Sequence, residues 1–138
     1  MIEKYLWIAG SSIFLGLGSL HLLYTFFTNK FSSRNKEMVE AMKISYPNLT
    51  NKTTMWKAWI GFNASHSTGA MFIGLVNIIL AIEDFSILTN SLSLLLLNII
   101  FVLFYLFLGW KYWFNIPFTG VLITSICFLI VFIRVITA

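Results

Sequence analysis

The residues of this chain best suited to chemistry are its two histidines, and both stand in apolar surroundings. His21 belongs to the run Gly18-x-x-His21-x-x-Tyr24. His66 belongs to Trp56-x-Ala-Trp59-x-Gly61-Phe-Asn63-x-Ser65-His66-Ser67-x-Gly69. Lipid offers no hydrogen bonds, so polar side chains in such stretches turn inward to a partner, a water or a ligand. Three chemistries suit this set. The imidazoles of His21 and His66 could be the axial ligands of a b-type haem, the metal site this sequence allows. Alternatively, histidine could hydrogen-bond a quinone or another apolar molecule between walls of Tyr24, Trp56 and Trp59. In the third, His21, Asn63, Ser65, His66 and Ser67 fasten helices together at ~0.6 kcal/mol per contact. Other metals and pH sensing complete the range open to histidine.

Other chemistries lack their residues. No Asp or Glu falls inside an apolar stretch, since Glu3, Glu83 and Asp84 all sit at or beyond the boundaries. A di-iron bundle would need inward Glu residues and Glu-x-x-His pairs. A Ser-His-acid triad would need an orienting carboxylate, and Glu83 lies about 25 Å along a helix from His66. Ser65 and Ser67 flank His66 in sequence but point around the helix from it. There is no Gly-rich phosphate loop and no nucleic-acid module. No catalytic residue is therefore assigned, and no nucleic-acid partner is expected.

The elements that must position these residues follow from composition. Hydrophobic residues make up 59% of the 138 and charged residues 10%, with a mean hydropathy of +0.87, which is the balance of an integral membrane protein. Four apolar stretches, roughly 5–27, 56–82, 91–110 and 117–136, each approach or exceed the ~20 residues a bilayer core requires. They do not alternate as transmembrane strands would. The expected fold is all-α, a polytopic membrane protein with four transmembrane helices in an antiparallel bundle, forming a single domain over 1–138. The first stretch has no small-x-small cleavage site and reads as a retained helix rather than a signal peptide. Cys127, the single cysteine, permits neither an intramolecular disulfide nor a thiolate cluster and reads as a small packing residue.

Lys30, Arg34, Lys36, Lys43, Lys52 and Lys57 mark the first connection as cytoplasmic. Span counting then places Lys111 inside, Glu83 and Asp84 outside, and both termini outside. Lys4 and Arg134 are the exceptions, and Arg134 is close enough to the end to snorkel outward. Within the first loop, Ser32 or Ser33 could cap a short amphipathic helix from Arg34 to Ile44, with Met38, Ala41 and Met42 on one face. Thr53 or Thr54 could cap the second span.

The second span superimposes two patterns. Gly61, Ser65 and Gly69 form a small-residue ridge, matched in the first span by Ala9, Ser12, Gly16 and Ser19. Trp56, Trp59, Asn63, His66, Ala70, Gly74 and Asn77 form a second stripe at helical spacing. His21 and His66 would lie about 9 and 15 Å from the inner ends of their spans, so antiparallel packing could bring both into one inner-half site. In the third span Asn98, Tyr105 and Tyr112 would face inward. Asn98 could complete a polar cluster with Asn63 or Asn77. Pro117 suits the first turn of the fourth span.

Gly18-x-x-His21-x-x-Tyr24, the Trp56-to-Gly69 motif and Asn115-x-Pro117 together resemble a family of small, uncharacterised bacterial four-helix integral membrane proteins. The resemblance implies a bacterial inner-membrane location and supplies no established activity. The functional expectation is a non-catalytic membrane protein. It would serve as an accessory subunit of a larger membrane complex, or bind a small hydrophobic ligand in a pocket of His21, Tyr24, Trp56, Trp59, Asn63, His66 and Asn98. A bis-histidine haem or quinone-binding redox protein is the alternative. The lipid bilayer, larger membrane proteins and an apolar small molecule are the corresponding partners.

Overall fold

A computed structural model of the chain describes residues 1–137. They form five helices and, among the described residues, no strand: α1 Ile2–Phe27, α2 Lys36–Ile44, α3 Met55–Thr89, α4 Leu92–Tyr112 and α5 Asn115–Ile136. All but α2 are long and apolar enough to cross a membrane. The four apolar stretches therefore become helices, as their unbroken Leu/Ile/Phe runs require.

Several boundaries differ from the sequence expectation for local reasons. α2 is capped by Asn35, not by Ser32 or Ser33. The Asn35 carboxamide oxygen accepts from the backbone N–H groups of Glu37 and Met38 at 2.9 and 3.4 Å, and Ser33 instead accepts from Asn35 N–H. Thr54 does cap α3, accepting from Lys57 N–H at 3.3 Å. α3 runs on past Ile82 to Thr89 with a break at Asp84 (φ −154°, ψ 97°). Its 35 residues would reach about 52 Å if straight, well beyond a ~30 Å hydrocarbon core. Asp84 starts the final piece by accepting from Ser86 N–H at 2.9 Å, and Lys4 Nζ donates to the Ile82 carbonyl at 3.4 Å. Asp84 thus interrupts the helix without ending it. Ser91 caps α4 through Leu94 N–H, and Pro117 occupies the first turn of α5, where its missing N–H leaves no bond unmade.

The chain divides into two compact units. One comprises residues up to Leu17 together with those from Ala70 onward. Its core is Trp7, Phe14, Leu88, Leu95, Val102, Val121, Phe128 and Val131, with α4 packed on α5. Trp7 is fully buried and stacks on Phe128 with centroids 3.9 Å apart and planes 5° from parallel. Gly10 makes room for that stack, because a Cβ there would lie 3.0 Å from the Phe128 ring. Thr124 donates to the Gly10 carbonyl at 3.0 Å, so α1 and α5 approach closely there. The second unit, Gly18–Gly69, holds the last part of α1, the connecting loop with α2, and the first part of α3. Ser45, just after α2, accepts from Met55 N–H at 2.9 Å and ties the loop to the start of α3.

The expected small-residue ridge is not where helices meet most closely. A Cβ added at Gly61 or Gly16 would meet nothing within 4 Å, and Ala9, Ser12, Gly61 and Ser65 are exposed. The close approach belongs to Gly74, where a Cβ would lie 2.8 Å from both the Leu15 N and the Ser11 carbonyl oxygen. Backbone meets backbone there, so nothing can yield cheaply. Tyr112 also departs from expectation: it is exposed, whereas Tyr105 packs edge-on against Phe14 at 4.9 Å. Gly74→Ala should lower stability by about 1–3 kcal/mol through overpacking. Gly61→Ala should leave stability unchanged or raise it by up to about 1 kcal/mol through helix propensity. Thermal unfolding of both variants in detergent checks the contrast.

Candidate functional site

Six of the seven expected site residues, His21, Tyr24, Trp56, Trp59, Asn63 and His66, fall in the Gly18–Gly69 unit. Asn63 is the hinge of the arrangement. Its Nδ2 donates to the Trp59 carbonyl one turn earlier at 2.8 Å, which leaves Oδ1 as the acceptor towards His21 Nε2 at 2.9 Å. That bond requires the proton on Nε2, so the Asn63 amide selects the His21 tautomer. The His21 carbonyl in turn accepts from Thr25 at 2.8 Å.

The imidazoles do meet. His21 and His66 rings lie 5.6 Å apart at 70°. The opposing contact on His21 comes from a residue that the sequence did not single out: Phe31 stacks on His21 at 4.1 Å and 25°. Phe31 also lies 6.2 Å from the Tyr24 ring, and its carbonyl accepts from Trp59 Nε1 at 3.2 Å. Lys30 Nζ sits 4.0 Å above the Tyr24 ring in a cation–π contact. The loop directly after α1 thus folds over the histidine and is held there by Trp59. Phe31 carries no periodic signal, because it stands alone between Lys30 and Ser32.

Trp56 and Trp59 line a cavity of about 30 Å³ together with Thr25, Thr28, Phe31 and Ile60. That volume suits a single water rather than a quinone ring. A bis-imidazole haem needs a lone pair from each ring on one iron. His21 directs its Nε2 proton to Asn63 instead, so the pair does not present that ligand set through Nε2. Only coordination through Nδ1, with Asn63 as the outer partner, would be compatible with this bond. Among the described residues no group of three or more His, Cys, Asp or Glu side chains is placed to hold a metal ion.

Asn98, the seventh residue, lies in the other unit and belongs to a second polar chain. Trp7 Nε1 donates to Asn77 Oδ1 at 2.9 Å. Asn77 Nδ2 donates both to the Ile73 carbonyl at 2.9 Å and to Asn98 Oδ1 at 2.6 Å. Asn98 Nδ2 donates to the Leu94 carbonyl at 2.9 Å. Three helices, α1, α3 and α4, are joined by these bonds. Of the two partners considered for Asn98, Asn77 is the one it bonds.

Each unit therefore uses the same device. An aromatic ring N–H on α1 donates to an Asn Oδ1 on α3, and the Asn is oriented by the carbonyl four residues before it. Trp7 and His21 stand fourteen positions apart, as do Asn63 and Asn77, close to four helical turns in both helices. Trp7 was legible only as an apolar aromatic. The matching intervals were the available signal for its role.

No family model, curated protein or solved structure matches this chain. Truncation separates the two polar chains. Asn77→Ala strands both Trp7 Nε1 and Asn98 Oδ1 in a position where Asn77 is 3% exposed, and should cost about 1–3 kcal/mol. Asn63→Ala removes one bond between helices and should cost closer to ~0.6 kcal/mol. Chemical unfolding in mixed micelles measures the difference.

Proposed function

We propose that this chain is a non-catalytic, multi-pass membrane protein that acts as an accessory subunit beside larger membrane proteins. The observation that carries this reading is how its interior polar groups are used. Trp7, Asn77 and Asn98 bond one another, and His21 bonds Asn63. Ser11, Thr25, Ser67, Thr124 and Ser125 donate to carbonyls of the preceding turn. Among the described residues, no buried side-chain N or O lacks a partner. Such satisfied groups hold helices in register and leave the outer apolar surface to lipid or to other helices. Phe62, Phe72 and Trp110, exposed at 74%, 66% and 72%, belong to that surface.

The finer architecture belongs to the same proposal. The four long helices form an antiparallel bundle in a bacterial inner membrane, with both termini extracytoplasmic, as the Lys/Arg distribution directs. α2 lies as an amphipathic helix on the cytoplasmic surface. In support, α2 has no buried residue, and Met38, Ile44 and the following Leu49 are exposed. A lipid surface would cover them. The resemblance to small bacterial four-helix membrane proteins fits this placement.

The second reading is a ligand-binding or redox role. The observation favouring it is the direct contact of the two imidazoles. Solubilisation of native membranes in mild detergent, followed by native-gel sizing and a visible spectrum, separates the two. The accessory role predicts a colourless chain migrating in an assembly larger than its own monomer. Migration as an isolated chain contradicts that role. A Soret band abolished by His21→Ala or His66→Ala replaces it with the redox reading.

A further inference from the structure

Arg134 and Lys4 were anomalies of charge placement in the sequence. In the structure both border one open depression of about 540 Å³, together with Glu3, Asn90, Phe85 and Val135. These residues come from the start of α1, the end of α3 and the turn after it, and the end of α5, all within the larger unit. We propose that this depression binds the phosphodiester headgroup of an anionic phospholipid, a proposal that rests on the membrane reading above.

The donors around the depression are unequally used. Arg134 donates through Nε to Glu3 Oε1 at 2.6 Å. Neither Nη group has a partner among the described residues. The carboxylate thereby orients the guanidinium while leaving its two-pronged edge, the geometry that takes two phosphate oxygens at once. The Lys4 ammonium makes one long bond of 3.4 Å to the Ile82 carbonyl and also feels the Asp84 carboxylate. It retains donors for an anion. The Asn90 side-chain amide is exposed and has no partner among the described residues. Among the described residues Glu3 is the only carboxylate lining the depression, against the Lys4 and Arg134 side chains and the Met1 ammonium, which pairs with Glu3 Oε2 at 3.0 Å.

The lipid source, rather than free phosphate, is favoured by the walls and the surroundings. Phe85 and Val135 give the depression an apolar side. Ile2, Ile82, Ile133 and Ile136, at the same helix ends, are 54–59% exposed. Ends of apolar helices lie at headgroup depth, so acyl chains would run along these side chains while the phosphate meets Arg134. Basic residues at this position then have a use beyond topology.

The test is lipid retention. The full chain is inserted in nanodiscs of phosphatidylcholine with a minor fraction of phosphatidylglycerol, extracted gently, and its bound lipid is measured by native mass spectrometry. The wild type should retain phosphatidylglycerol in preference to phosphatidylcholine. Arg134→Gln should reduce retention about tenfold, and Lys4→Gln and Asn90→Ala by less. Because Arg134→Gln also breaks the Glu3 pair, Lys4→Gln and Asn90→Ala guard against loss through misfolding. Lys111→Gln, remote in sequence from all of these, should retain lipid as the wild type does. Equal retention of the two lipids, or retention unchanged in all three site variants, would overturn the proposal. Stripping by millimolar inorganic phosphate, without preference for phosphatidylglycerol over phosphatidylcholine, would also overturn it and leave a free-phosphate site. A chain that does not enter nanodiscs overturns the membrane reading as well, whereas a normally inserted chain that retains no lipid overturns this site alone.

Discussion

In a helix surrounded by apolar side chains and lipid, a carboxamide has nowhere to turn but to other protein groups. The three asparagines in the helix interiors meet that constraint in the same way. Asn63, Asn77 and Asn98 give one N–H to the carbonyl four residues earlier on their own helix. That bond fixes which end of the amide points away from the helix. The outward oxygen then accepts from a neighbour: His21, Trp7 or Asn77. A local bond thus decides the polarity of each bond between helices. The tautomer of His21 and the seating of the Trp7 indole follow from it.

Apolar packing is organised around these polar points. Trp7 donates at its edge and stacks by its face on Phe128. The stack lies close over Gly10, and the contact of α1 with α3 requires Gly74. In the smaller unit the analogous ring is His21, covered by Phe31 where Trp7 is covered by Phe128. Tryptophan and histidine are interchangeable in this device because both present a flat face and one N–H at the edge. They differ in that histidine keeps a second nitrogen. His21 and His66 accordingly retain a capacity for ligand chemistry that Trp7 lacks.

Much of this was legible in the sequence, for identifiable reasons. The long helices follow from apolar runs, and Asn63, His66 and His21 stood out because polar groups in such runs need partners. The pairing of Asn98 with Asn77 rather than Asn63 was not legible, since helical spacing places residues on a face without choosing their neighbours. The ridge of Gly61, Ser65 and Gly69 misled because small residues permit close approach without compelling it; Gly74 makes the contact. Asp84 read as a loop residue, whereas an acid that can cap the next turn lets the helix resume. Phe31 and Asn35 were missed because loop positions carry no periodicity. Their roles depend on the path of the chain between α1 and α3.

The central claim is that Asn63, held by the Trp59 carbonyl, accepts a proton-bearing Nε2 from His21. Long-range proton–nitrogen NMR of ¹⁵N-histidine-labelled protein in nanodiscs, with His66→Gln used to assign the two rings, tests it directly. The account predicts a proton on His21 Nε2 in the wild type, with that preference lost in Asn63→Ala. A His21 Nε2 without a proton in the wild type, or a ring protonation pattern indifferent to Asn63, would contradict it.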